Sequence, residues 1–367
     1  MNQTQDFTKG VIWKQLLFFF FPILIGSFFQ QLYNTVDTII VGQAVGTSAL
    51  AAVGSTGNLT NLIVNFYVGL STGASVVIAQ YYGAQNNKKI HQAVHTSYIL
   101  AIVSGILMML FGLFFSYQCL DAIGTPHDIL NDATLYMQLY FLCMIPGAIY
   151  NIGAGILRAV GDSKRPLYYL IVCSIVNVVF DFIFVVIFHQ GIAGAAIATV
   201  IAQSVCAILV TIQLMRTNEV YKLTLSKMKF HLPVLKKIIM IGAPAGIQST
   251  MYSISNIVLQ SHINAFGTQT IASWSVYVKI DALFWMMIAA IGAAITTFAG
   301  QNYGAHLHDR IKKGTRTALA MAFVMTISIS TILCLTGSYI TRLFSSDPHI
   351  IEECYSLMLF LMPGRLR

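Results

Sequence analysis

The sequence predicts an all-α membrane protein of two pseudo-symmetric six-helix lobes, the second of them incomplete, and three observations carry that prediction. Hydrophobic residues make up 56% of the chain and charged residues only 9%, against about a quarter charged in soluble domains. So few charges cannot cover a water-facing surface. Apolar runs long enough to cross a bilayer recur from end to end, so the hydrophobic residues form spans and not one globular core. The third observation is a weak internal repeat between the two parts of the chain.

The apolar segments fall near residues 16–42, 51–82, 92–118, 129–157, 167–188, 192–215, 238–264, 270–300, 316–340 and 349–363. They are read as nine full spans and one cut short. The first run, Leu16 to Ile40, is too long for a signal-peptide core and lacks a small-residue cleavage site. Orientation follows from the loops. Lys88 and Lys89 follow span two, Arg158, Lys164 and Arg165 follow span four, and Arg216, Lys222, Lys227, Lys229, Lys236 and Lys237 follow span six. Arg310, Lys312, Lys313 and Arg316 follow span eight, whereas the loop at 119–132 carries Asp121, Asp128 and Asp132. The N-terminus and the basic loops are therefore expected in the cytoplasm of a multi-pass plasma (inner) membrane protein. The net charge of +8 is explained by these loops, with no continuous basic face for nucleic acid. The six cysteines form no C-x-x-C pair and read as small buried residues.

The basic linker 217–237 separates residues 1–216 from 238–367, and an offset of 221 or 222 residues aligns the two parts. Pro22, Ser27, Asn34 and Val36 fall on Pro244, Ser249, Asn256 and Val258. Gly46, Thr47 and Ala51 meet Gly267, Thr268 and Ala272, and Gln80, Tyr82, Gly83 and Ala84 meet Gln301, Tyr303, Gly304 and Ala305. Pro126 and His127 meet Pro348 and His349. An even number of spans per repeat puts the symmetry axis along the membrane normal. Pro146 and Gly147 align with Pro363 and Gly364, so the second lobe is expected to stop within its fourth helix at Arg367.

Three acids fall within spans: Asp37, Asp181 and Asp281. A carboxylate inside a bilayer is costly and marks a functional site by default. Gln30, Tyr33, Asn34 and Asp37 form one polar stripe on span one at helical spacing. Asn177 and Asp181 share a face of span five, and Thr199 lies in span six. These groups can converge, either as a hydrogen-bonded cluster that holds helices together or as a cation site. Two close carboxylates in low dielectric cannot both stay charged, so one must hold a proton or share a cation. Oxygen ligands also suit sodium. Proton and sodium coupling are equally open, and no other cofactor is expected.

These residues carry a resemblance. N-T-V-D-T-I-I-V-G at 34–42, with Pro22 fifteen residues before Asp37, A-Q-Y-Y-G-A at 79–84, R-A-V-G-D-S-K-R-P at 158–166 and N-V-V-F-D at 177–181 resemble the multidrug and toxic compound extrusion family. The resemblance covers essentially the whole chain. It implies a V-shaped pair of lobes with alternating access and a first-lobe cation site at Asp37, Asn177, Asp181 and Thr199. Gln30, Tyr33 and Asn151 match positions lining the family's first-lobe substrate cavity, and Asn34 belongs to the same stripe. Pro22 matches a proline at which span one is proposed to bend, the alternative being a fixed kink. Asp37 aligns with Leu259, and span seven holds no acid, so a second-lobe cation site is not expected.

Other residues have competing readings. Lys279 and Asp281, two apart on span eight, do not face each other; each serves a structural pair or lobe contact, or the movement of substrate or ion. The loop 158–166 is a Gly-Asp turn with positive anchors, or a contact between lobes. Gly69 and Gly73 fit close helix packing, within the lobe rather than in a dimer, and His91 and His95 lack the further ligands of a metal site. The function expected is a monomeric secondary antiporter that exports small organic cations in exchange for inward H+ or Na+, in contact with membrane lipid and with no nucleic-acid partner. A lipid-linked oligosaccharide flippase would need several cavity Arg and Lys, of which only Lys279 is a candidate. A non-transporting fragment or partner-dependent subunit is the remaining alternative. No enzyme motif is present.

Overall fold

The computed structural model describes residues 4–264, 266–342 and 348–364, so Arg367 lies outside them. The helices are α1 (Ile12–Ala44), α2 (Thr47–Gly83), α3 (Asn87–Ala122), α4 (His127–Phe141), α5 (Met144–Ala159), α6 (Lys164–Asp181), α7 (Gly191–Arg216), α8 (Leu232–Asn264), α9 (Thr268–Gly304), α10 (His308–Arg342) and α11 (Pro348–Gly364). No strand occurs among the described residues. Every apolar segment maps onto a helix or a helix pair. Among the described residues, seven helices are individually long and apolar enough to cross a bilayer, or eight spans result if α4 and α5 form one bent span. Of the other two expected spans, α11 has only 17 residues, and α8 carries Gln248, Ser249, Thr250, Ser253, Ser255 and Asn256.

Span four is not one helix. It breaks at Leu142 and Cys143 with a bend of 44° between α4 and α5. Pro146 is the cause that the sequence supplies. Without an N–H it disfavours a continuous helix, yet it is tolerated in the first turn of a new one. Span five also changes character, because its last turns, Phe182–Ile187, wind as a π-helix directly after Asp181. Such segments occur often at functional sites.

The two parts of the chain meet along α2, which packs on α8 and α9. Here the structure corrects the expectation for Gly69 and Gly73, whose partners are Gly246 and Gly242 of α8 and not helices of the first lobe. Both helices present small residues four apart, so the two backbones can touch. At the basic-loop end the contact is reciprocal. A β-carbon on Gly83 would strike the Gln301 carbonyl, and one on Gly304 would strike that of Gln80. The Asn65 Nδ2 to Ser253 Oγ hydrogen bond, 3.1 Å, lies farther along the same seam. Beyond it, Gly54 and Gly57 of α2 face open space. The halves are in close contact at the basic end.

The segment before α1 strengthens that seal. Phe7 is fully buried, edge-on to Phe19 of α1 and Phe298 of α9 at 5.2 and 5.9 Å between ring centroids. Its N–H donates to Gln301 Oε1, 3.1 Å, and its carbonyl accepts from Asn302 Nδ2, 3.1 Å, and Arg310 Nε, 2.9 Å. Arg310 also donates to the Lys9 and Gly10 carbonyls, both at 2.9 Å. Gln5 N–H bonds to the Gly161 carbonyl, 3.0 Å, and Gln301 Nε2 to that of Ala159, 2.8 Å. The loop at 158–166 thus serves both of its readings. Asp162 Oδ1 caps α6 through the N–H groups of Lys164 and Arg165, each 3.1 Å, while the Ala159 carbonyl joins the two halves through Gln301. Hydrogen bonds from a charged group contribute about 1.5–3 kcal/mol. Arg310→Ala is therefore expected to raise hydrogen exchange at Phe7 by about tenfold or more. Unchanged exchange there would mean that the aromatic contacts alone hold the segment.

Candidate functional site

Gln30, Tyr33 and Asn34 line a cavity of about 220 Å³ together with Pro22 and Asn151. Its wall is otherwise built by α2, α4, α5, α6 and α7, with Tyr67, Tyr140 and Tyr150 supplying aromatic faces. Gly26 lets α1 approach Leu170 of α6, since a β-carbon there would lie 3.1 Å from that side chain. Asn151 is held by Nδ2 donating to the Gly147 carbonyl, 2.8 Å, and its own carbonyl accepts from Ser71 Oγ, 2.7 Å. Gln203 Nε2 reaches the Tyr33 hydroxyl at 3.5 Å. Three members of the α1 stripe thus share one cavity.

The fourth member does not line it. Asp37, one turn farther along, belongs with Asn177 and Asp181, which are both fully buried. The two carboxylates are near neighbours, and Tyr136 of α4 lies near both. Above them, Val41 of α1, Val185 of the π-helical segment and Ala195 of α7 pack in one cluster. Asp37, Asp181 and Thr199 each sit four residues from one of these, on the side toward the basic end. The three elements therefore carry them at one level.

Among the described residues, Asp37 Oδ1, both carboxylate oxygens of Asp181, and Oδ1 and Nδ2 of Asn177 are buried without a hydrogen-bond partner. Each such group costs about 1–3 kcal/mol, and native proteins leave few of them. Thr199 spends its proton on the Ala195 carbonyl, 3.1 Å, which leaves oxygen lone pairs available. The donor set is carboxylate, amide and hydroxyl oxygen, suited to a hard cation or to protons.

Lys279 is exposed and Asp281 half-buried, and neither lines the cavity. Asp281 Oδ2 accepts from Trp285 Nε1, 3.0 Å, and Trp285 packs on Tyr252 of α8 with centroids 5.3 Å apart. These contacts tie α9 to α8. The His91 and His95 rings lie tilted with centroids 4.0 Å apart, and His95 Nε2 accepts from the Thr224 N–H at 3.0 Å.

Sequence reasoning missed Tyr136, Tyr140 and Arg158. A tyrosine in a span carries no mark of which face it presents, and the bend that turns α4 toward the carboxylates was signalled only by Pro146. Arg158 was counted as a loop residue, although it ends α5 and reaches the cavity.

The family model described as MatE matches residues 22–183 and 244–366, two stretches that start at Pro22 and Pro244, a pair that the internal repeat aligns. The chain is 26% identical over 368 residues to the probable multidrug resistance protein YoeA of Bacillus subtilis strain 168, covering 98% of this chain and 79% of that one. It is 22% identical over 370 residues to the multidrug export protein MepA of Staphylococcus aureus strain NCTC 8325, covering 100% and 81%. A crystal structure of MATE in the bent conformation superposes with a TM-score of 0.91 at 25% identity, covering 100% of this chain and 81% of that one.

Proposed function

The chain belongs to the MatE family, and from that premise we propose that it is a secondary antiporter exporting small organic molecules, organic cations among them, against inward H+ or Na+. As a member of this family of multidrug transporters it is not an enzyme. The observation that carries the antiport reading is the group of buried polar atoms without partners at Asp37, Asn177 and Asp181. In low dielectric this group stays stable only with a proton or a metal cation added, which is the property a coupling site needs. The cavity next to it holds the exported molecule against tyrosine faces and side-chain amides. Asp37 continues the α1 stripe of Gln30, Tyr33 and Asn34, so the helix that lines the cavity also carries the coupling carboxylate. With the basic loops in the cytoplasm of the plasma membrane, the sealed end faces inward. Transport alternates this state with its converse.

The experiment is dye efflux from proteoliposomes under separate sodium and proton gradients. One gradient is expected to drive efflux and the other not; efflux driven by neither sinks the antiport reading. Asp181→Asn and Asn177→Ala are both expected to weaken the ion dependence of that efflux by about tenfold or more, because each removes an oxygen or a charge from the same buried set. A variant whose half-saturating ion concentration stays at the wild-type value takes its residue out of the site.

A further inference from the structure

Among the residues lining the cavity, one carries a formal charge, and it is a cation, Arg158. It sits in the last turn of α5 and is half-buried. The acid nearest in sequence is already engaged, because Asp162 pairs with Arg165 at 3.3 Å and caps α6. Arg158 itself makes no ion pair among the described residues. The adjacent Tyr150 hydroxyl donates to the Pro166 carbonyl, 3.3 Å. A partly desolvated guanidinium with no anion is costly, and its planar fork matches a carboxylate with two parallel hydrogen bonds.

We propose that Arg158 is an anion subsite at the basic end of the cavity, which makes the cavity selective for aromatic molecules that carry a carboxylate. The inference rests on the cavity being the substrate site. A purely cationic molecule meets repulsion at Arg158 and finds amide oxygens and tyrosine faces but no anion among the lining residues. A zwitterion satisfies both ends. Its carboxylate lies on Arg158, its ring among Tyr67, Tyr140 and Tyr150, and its ammonium group toward Gln30 and Asn34, the end nearest Asp37.

The test is equilibrium binding to the purified protein of a free-carboxylate rhodamine and of its methyl ester, two dyes that differ in one charge. Wild type is expected to prefer the carboxylate dye by about tenfold or more. Arg158→Gln removes the preference by weakening that dye alone, and Arg158→Lys keeps part of it, since lysine retains the charge without the fork. Equal binding of the two dyes by wild type overturns the proposal, as does an Arg158→Gln protein that keeps the preference or loses both dyes equally. A phospholipid headgroup as the true anion shows as carboxylate-dye binding that phosphatidylglycerol competes away while the ester is unaffected, and it also overturns the substrate assignment. Failure of the underlying reading looks different: Gln30→Ala and Asn151→Ala then leave the affinity of both dyes unchanged.

Discussion

Asp37→Asn is expected to abolish gradient-driven efflux while the protein stays folded in the membrane and its cavity still binds dye. The amide keeps the size of the carboxylate and can accept and donate hydrogen bonds, but it cannot release a proton or neutralise a cation. Asp37 Oδ1 is buried with no partner among the described residues, so the substitution removes a charge and breaks no side-chain hydrogen bond among them. Removing one partner of a buried ion pair costs about 3–5 kcal/mol, which is more than a hundredfold in cation affinity. The cavity is expected to survive because Gln30, Tyr33 and Asn34 line it and Asp37 does not. Binding and coupling should therefore separate. The measurement pairs dye binding in detergent with dye accumulation in proteoliposomes. Accumulation at the wild-type rate rejects the coupling role, and loss of dye binding in the folded protein shows that cavity and carboxylate form one site.

Much of this arrangement was legible in the sequence, and what was hidden has a common physical reason. The Gln30, Tyr33, Asn34 and Asp37 stripe follows helical period on an apolar background, and the structure does put three of its members in one cavity. Asn177 and Asp181, four apart, are buried together. Periodicity within one helix says which side chains share a face; it does not say which other helix that face meets. For this reason Gly69 and Gly73 were assigned to packing inside one lobe, when their partners are Gly246 and Gly242 across the seam. Arg158 was hidden similarly. A basic residue at a helix end satisfies the positive-inside pattern whether its side chain turns to water or to a cavity. The N-terminal segment left no periodic signal at all, since Phe7 is buried by contacts with residues almost three hundred positions away.

Gly83→Leu is expected to force the two halves apart at the basic end and to lower transport by more than tenfold. Gly83 of α2 lies against the Gln301 backbone of α9, and Gly304 lies against Gln80 in the same manner. The contact is self-complementary about the axis that relates the repeats, as Gln80 and Gly83 align with Gln301 and Gly304. Any β-carbon here meets a carbonyl of the other helix and not a side chain that could swing away. Overpacking against movable side chains costs about 1–3 kcal/mol, and a rigid backbone leaves less room to relax, so the helices themselves must separate. Separation also strains the bond between Phe7 N–H and Gln301 Oε1 and that between Gln301 Nε2 and the Ala159 carbonyl. The seal that keeps the cavity from opening at both ends is then lost. Spin labels at the exposed positions Lys88 and Lys312, in a background without the partly exposed Cys119 and Cys334, measure the result. Wild type should show a population at the distance of the sealed state, Gly83→Ala a reduced one and Gly83→Leu almost none. A Gly83→Leu protein with the wild-type distance distribution would mean that α2 and α9 do not need to touch here for the basic end to close.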